Sequence, residues 1–132
     1  MNNFGGSMSI EYPRGSEWRE WDLHIHPPAS FFWNGQKFVG DMTSPANIAL
    51  VDEMIDAMNK AKPAVFAIMD YWSFEGWFAL KNRLAQPGAP ALTKTVFPGI
   101  ELRVCSPKGR LNAHIIFSDN APDQELRFRR PL

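Results

Sequence analysis

The sequence predicts a single α/β domain built on a mostly parallel sheet. Strand-like and helix-like segments alternate along the chain in the order β, α, β, α, β, β. The continuous apolar run from Ala64 to Met69 is typical of a strand that is covered on both faces. A chain of 132 residues, 45% of them hydrophobic, is long enough for one core. We therefore expect residues 1–132 to form one domain, with residues 1–20 as a lead-in segment.

The first predicted strand runs from Trp21 to His26 and ends there, because the next two residues are prolines, which cannot continue a ladder. A helix is predicted to follow, with Ser44 as its N-cap and Pro45 at its first position. Its apolar side chains recur at helical spacing until Lys60: Ile48, Val51, Met54, Ile55 and Met58. This single apolar face predicts that the helix lies on a sheet.

The second half of the chain continues the pattern. Asp70 ends the second strand, and Ser73 is predicted to cap a helix that reaches Leu84. Residues 95–104 indicate a strand pair or one kinked strand, because a Pro-Gly dipeptide interrupts them. A turn at residues 106–109 then leads into a last strand at residues 112–117.

Composition narrows the classes of function. Fourteen basic residues balance fourteen acidic ones, so the chain has no general electrostatic signature for nucleic acid or membranes, although a nucleic-acid substrate stays open. The single Cys105 rules out an intrachain disulfide, and the first residues lack the pattern of a secretion signal. No run reaches the length of a membrane span. We expect a cytoplasmic protein without a membrane partner.

Two of the three histidines flank Ile25 at the end of the first strand. Alternation along a strand predicts that Asp22, His24 and His26 share one face. Further potential ligands stand at or in later strands, namely Asp70, Glu101 and His114. Imidazoles and carboxylates grouped in an apolar sheet are stabilised by a cation, so we predict a site for divalent zinc, manganese or iron.

Simpler interpretations exist for each of these residues. The histidine pair could be structural, and His114 could be a satisfied core residue. Asp70 could cap the following turn, and Glu101 could pair with Arg103 or Arg110 at the surface. The aromatic run at residues 31–33 favours a lid or a core cluster over a platform for stacking bases.

Four segments resemble the motifs of the polymerase and histidinol phosphatase (PHP) superfamily of metal-dependent phosphoesterases. They are Asp22-Leu23-His24-Ile25-His26, Ala67-Ile68-Met69-Asp70, Pro98-Gly99-Ile100-Glu101, and His114 with its neighbours. Residues 14–26 and 70–76 are also similar to the PHP domain of TrlF-type ATPases, which are associated with phage defence. The resemblance covers about residues 12 to 119. It implies a partial (βα)7-type barrel, of which this chain would be the N-terminal half.

The resemblance also implies a function, hydrolysis of a phosphoester by hydroxide on a divalent metal ion. His24, His26 and Glu101 would hold one or two ions, and Asp70 and His114 would complete or orient the ligand shell and act in catalysis. Arg103 and Arg110 would bind the phosphate. This chain has Tyr71 where the family commonly has a histidine, and ligands from the second half of the barrel are absent from the sequence. The chain would then be a fragment or the product of a truncated gene, lacking the rest of the barrel and a C-terminal ATPase region, or a subunit whose barrel a second copy completes.

Two other functions compete with this one. A half-barrel exposes strand edges, which would suit an assembly or regulatory module without catalysis. Amidohydrolase-like cleavage of a C–N bond also uses a histidine pair on a first strand, but the sequence has no bridging-lysine motif.

Overall fold

A computed structural model describes residues 18–28, 35–41, 43–123 and 126. Four strands and two helices lie within these residues, in the order that the sequence predicts. They are β1 (Trp21–Ile25), α1 (Pro45–Lys60), β2 (Val65–Tyr71), α2 (Glu75–Leu84), β3 (Thr95–Ser106) and β4 (Gly109–Ile116). The lead-in as far as residue 17 and the aromatic run at residues 31–33 lie outside the described residues.

The strands form one curled sheet in the order β1-β2-β3-β4. β1 and β3 both pair with β2 in parallel, and β4 returns antiparallel to β3. The predicted α/β class and the mostly parallel sheet are therefore confirmed. Parallel strands place their carboxyl ends at the same edge of the sheet, where functional residues gather in α/β folds.

Helix α1 begins and ends as its sequence predicts. The Ser44 side chain accepts a hydrogen bond from the backbone N–H of Asn47 (3.3 Å), and Pro45 opens the helix. The periodic apolar residues are buried except Ile48, which is half-buried. Asn47 is also buried, and its side chain binds the backbone of Val39 and Asp41, so it fastens the preceding loop to the helix.

Helix α2 starts two residues later than the predicted cap, so the prediction of Ser73 as N-cap is wrong. Phe74 occupies the cap position and makes no side-chain hydrogen bond there. The carboxylate of Asp70 instead accepts the N–H of Gly76 (2.8 Å) in the first turn. A residue of the preceding strand thus satisfies a donor that a local Ser would otherwise serve.

β3 is a single strand that passes through Pro98 and Gly99. Proline is tolerated because Pro98 faces the end of β4, where its carbonyl still accepts the N–H of Phe117 (2.9 Å). Glycine follows, and it leaves room for Met69, whose sulfur would lie 2.6 Å from a Cβ at Gly99. The predicted turn before β4 is confirmed at Pro107 and Lys108.

The hydrophobic core lies between one face of the sheet and both helices. Phe66 and Ile68 of β2, and Val96 and Ile100 of β3, belong to this cluster together with apolar residues of α1 and α2. Side chains alternate along a strand, so Ala67 and Met69 of β2 and Glu101 of β3 point to the opposite face. That opposite face, at the carboxyl ends of β2 and β3, is where the candidate site lies.

In the part of the chain that the structure describes, neither helix is both long and apolar enough to cross a bilayer.

Candidate metal centre

His24 is presented by an irregularity in β1. Asp22 pairs with Phe66 but Ile25 pairs with Ile68, so β1 contains one extra residue between these points. The backbone N–H of His24 donates to the carboxylate of Asp22 (3.2 Å). Such a bulge redirects the side chain that it carries, and bulges are frequent beside functional sites. Asp22 therefore supports the backbone at His24.

A row of three side chains crosses the sheet beside His24. Tyr71 pairs with Glu101 across β2 and β3, and Glu101 pairs with His114 across β3 and β4. The Tyr71 hydroxyl donates to Glu101 Oε1 (2.5 Å), and His114 Nε2 lies 3.5 Å from the same oxygen. His24 Nε2 lies 3.1 Å from Glu101 Oε2. Glu101 is thus the centre of the group, and its side chain is only 3% exposed.

His26 is oriented towards this group by the backbone of β2. Its Nδ1 lies 2.9 Å from the carbonyl oxygen of Met69, which can only accept, so Nδ1 carries the proton of a neutral ring. Nε2 is then the nitrogen that carries the ring's lone pair, and it lies 3.7 Å from Glu101 Oε2. A histidine held through one nitrogen by a carbonyl and offering the other is the usual arrangement of a metal ligand.

The electrostatics of the group keep Glu101 ionised. Burial raises the pKa of Glu101, but hydrogen bonding with Tyr71, His24 and His114 outweighs burial, and the net effect is a pKa below its ordinary value. A carboxylate that stays ionised is available to a cation. The neighbouring Tyr71 shows the opposite effect, since burial and Glu101 raise its pKa above the ordinary value, and Tyr71 therefore stays a hydrogen-bond donor at neutral pH.

Three residues meet the geometric requirement of a metal site. One ligand atom from each of His24, Glu101 and His114 can be chosen so that all lie within 4.8 Å of one another. Two imidazole nitrogens and one carboxylate oxygen form a donor set that suits zinc, manganese or iron. The structure therefore supports one part of the cofactor prediction: these three residues could hold a metal ion.

Asp70 lies outside this group. Its side chain has the same parity as Phe66 and Ile68, so it points towards the helices and binds Gly76. Burial, opposed by the Gly76 N–H and reinforced by the charge of Glu75, raises the pKa of Asp70 to about 7. Its Oδ1 is buried with no hydrogen-bond partner. The interpretation of Asp70 as the cap of the following turn matches this geometry.

Tyr71 is the site residue that the sequence interpretation did not select. Counting in twos from the apolar residues Phe66 and Ile68 places Asp70 on the helix side and Tyr71 on the site side, so this signal was present in the sequence. Trp72, which follows, adopts a left-handed backbone conformation (φ 59°), and its N–H donates to the carbonyl of Glu101 (3.4 Å). Strained backbone of this kind is concentrated at functional sites.

The two arginines that were predicted to bind phosphate have different positions. The guanidinium of Arg103 lies over the ring of Tyr71, with its central carbon 5.5 Å from the ring centre. Arg110 pairs with Cys105 near the exposed end of the β3–β4 hairpin, two pairs further along the strands than Arg103. Arg103 is therefore beside the metal group, and Arg110 is remote from it.

We predict that Gly76→Ala destabilises the fold, because a methyl group at this position would crowd Pro27 and Asp70. A Cβ at Gly76 would lie 2.3 Å from Cγ of Pro27, which belongs to a rigid ring, and 2.9 Å from Oδ2 of Asp70, which the Gly76 N–H holds in place. Overpacking of this kind typically costs about 1–3 kcal/mol. Urea denaturation should show the loss. Gly88→Ala serves as the control, because no atom lies within 4 Å of a Cβ at Gly88, although its φ is +78°. Its unfolding free energy should fall by only about 1 kcal/mol, from backbone strain.

No protein-family model matches the chain, and no curated protein matches it.

Proposed function

We propose that this chain is a metal-dependent phosphoesterase of the PHP type, forming the first half of a (βα)7-type barrel. The observation that supports the proposal is the meeting of His24, Glu101 and His114 at one edge of the sheet. The resemblance of the four motifs supports the choice of phosphoesters as substrates. Phage defence as the biological setting, and a nucleotide or nucleic acid as the substrate, follow from the resemblance alone.

The residues of the site divide into three tasks. His24, Glu101 and His114 would hold the cation, and His26 is oriented to add a fourth ligand, which is a third imidazole nitrogen. Tyr71 would position Glu101 through its hydroxyl. Arg103 would bind a phosphate oxygen, because a guanidinium matches the geometry of two phosphate oxygens.

A bound divalent ion supplies Lewis acidity towards water and phosphate. The chain itself supplies one buried negative charge, on Glu101, and up to three neutral imidazoles. This leaves the loaded site with net positive charge, which attracts an anionic phosphoester. Arg103 adds a further positive charge on the side towards the hairpin.

The proposal is tested by loading the purified chain with Mn²⁺, Zn²⁺ or Fe²⁺ and measuring bound metal by elemental analysis. The same samples are assayed for release of p-nitrophenol from bis(p-nitrophenyl) phosphate. We expect about one ion or more per chain and hydrolysis that a chelator abolishes. His114→Ala should lower both metal content and rate, whereas Asn112→Ala, on the same face of the same strand, should leave both unchanged.

Absence of bound metal in all three reconstitutions would refute the proposal. Metal binding without phosphodiester hydrolysis would reject the enzyme and leave a metal-binding module. Hydrolysis of simple amides in place of the phosphodiester would favour the amidohydrolase-like chemistry.

A further inference from the structure

Among the described residues, no strand pairs with the outer edge of β4, and this edge lacks most of the usual protection of an edge strand. Natural edge strands are blunted by charged residues, proline or bulges. The stretch Leu111-Asn112-Ala113-His114-Ile115-Ile116 contains no proline, lysine, arginine or acidic residue. Its register with β3 is regular throughout, so it contains no bulge either.

The other edge of the sheet provides a contrast. β1 carries both a bulge and an acidic residue, Asp22, and each of these discourages pairing with another chain. The two outer edges of the sheet therefore differ in how well they are protected against pairing with another strand. Of the two, only the edge of β4 is straight, and it is uncharged from Leu111 to Ile116.

β4 also exposes large aliphatic side chains. Leu111, Ile115 and Ile116 are 63%, 42% and 40% exposed, and Val104, which pairs with Leu111 on β3, is 45% exposed. Leu111, Ala113 and Ile115 share the face of β4 on which the helices lie, because Ile115 pairs with the core residue Ile100. Exposed apolar surface next to an open edge is typical of a protein interface.

The hydrogen bonds to β3 determine which backbone groups of β4 point outwards. Phe117 donates to Pro98, so in the antiparallel ladder the odd-numbered residues of β4 face β3. The N–H and C=O groups of Arg110, Asn112, His114 and Ile116 therefore point towards the open edge. A second strand can bind only to these four residues.

We propose that two copies of this chain pair through their β4 edges, antiparallel and with Ala113 opposite itself across a two-fold axis. This register places Asn112 opposite His114 of the second copy and Arg110 opposite Ile116, so every outward-facing backbone group finds a partner. About eight backbone hydrogen bonds would form. The two four-stranded sheets become one continuous sheet of the dimer.

The partner strand belongs to a second copy of this chain because β4 is complementary to itself in this register. Leu111 of one copy lies directly opposite Ile115 of the other on the helix side, and the small Ala113 stands at the axis, where the strands approach most closely. The only charged residue brought to the interface, Arg110, lies at its ends. A shift of one residue would place outward-facing groups opposite inward-facing ones, so the register is well defined.

Sedimentation equilibrium of the full chain over about 1–100 μM tests the proposal. We expect a monomer–dimer equilibrium. Asn112→Pro removes the outward N–H of the edge without removing a bond to β3, and it should weaken the dimer by at least about tenfold. Asn112→Ala loses the same side chain but keeps the N–H, so it should dimerise like the wild type.

Ile115→Lys is a second variant that leaves the backbone unchanged. A lysine opposite Leu111 of the second copy should also weaken the dimer at least about tenfold, whereas Leu84→Lys, at a similarly exposed leucine in α2, should not. Circular dichroism shows whether each variant is folded. A monomer at all concentrations would overturn the proposal, and so would a dimer that both β4 variants leave intact. Phosphoesterase assays do not enter this test, so its outcome is independent of the proposed function.

Discussion

Glu101→Gln is expected to abolish metal binding while leaving the chain folded but less stable. Glu101 is the only negatively charged ligand in the group, and its two oxygens face Tyr71, His24 and His114. Glutamine keeps one acceptor oxygen but replaces the other with an NH₂ donor. The NH₂ group then faces Nε2 of His24, which must change tautomer to accept it or stay an unmatched donor, and the attraction for a cation is lost.

The expected size of the effect follows from the position of Glu101. Loss of a residue that only supports a metal ligand lowers metal affinity about 10–100-fold, so loss of the anionic ligand should lower it by about 100-fold or more. An unmatched donor in a buried site costs about 1–3 kcal/mol, and the exposure of His24 places the loss of stability towards the lower end. Isothermal titration with Mn²⁺ and urea denaturation without metal measure the two effects separately.

Glu53→Gln is the matched control, because Glu53 is exposed on α1 and lies outside the metal group. It should bind metal and unfold like the wild type. If Glu101→Gln kept its full metal affinity, the ion would be held elsewhere and the assignment of the site would be wrong.

The pH dependence of stability checks the same network. The pKa of Glu101 is below its ordinary value in the folded chain, so its contribution to stability is fully present above the pKa of the unfolded chain. That contribution is lost as the pH falls through the folded pKa. Glu101→Gln should remove this acid-side loss.

The order and type of the elements could be predicted from the sequence because each element depends on local periodicity. Helix α1 shows this most clearly, since Ser44, Pro45 and Lys60 mark its ends and an apolar stripe marks its buried face. The apolar run before Asp70 likewise specified β2. Such signals act over a few residues and do not depend on how the chain closes.

Features that depend on a distant partner were predicted less well. Ser73 looked like a cap, but the carboxylate of Asp70, six residues from Gly76, reached the start of α2. The bulge in β1 arises from its pairing with β2, which the sequence of β1 alone does not reveal. Most of the site followed from the motifs, since His24, Glu101 and His114 meet. Tyr71 rather than Asp70 belongs to the site because side chains alternate between the two faces of β2.

Asp70→Asn is expected to stabilise the metal-free chain at neutral and alkaline pH but not near pH 4. Folding raises the pKa of Asp70 from its ordinary value of 3.8 to about 7, mainly through burial. Between these values the folded chain keeps a proton that the unfolded chain has released. Stability therefore falls as the pH rises through this window, and the fall is complete above about pH 7.

Asparagine is neutral at every pH and removes this penalty. Its amide oxygen can still accept the N–H of Gly76 at the start of α2, so the local structure has no reason to change. A shift of one pKa unit corresponds to about 1.4 kcal/mol, so the difference in unfolding free energy between variant and wild type should grow by at most about 4 kcal/mol from pH 4 to pH 8.

Urea denaturation of both proteins at several pH values, in the presence of a chelator, measures this difference directly. Asp119→Asn, at an exposed carboxylate, should give a difference that changes little with pH. A difference for Asp70→Asn that stays constant with pH would mean that folding does not raise the pKa of Asp70, and the burial of its unpartnered Oδ1 would then not penalise the ionised carboxylate.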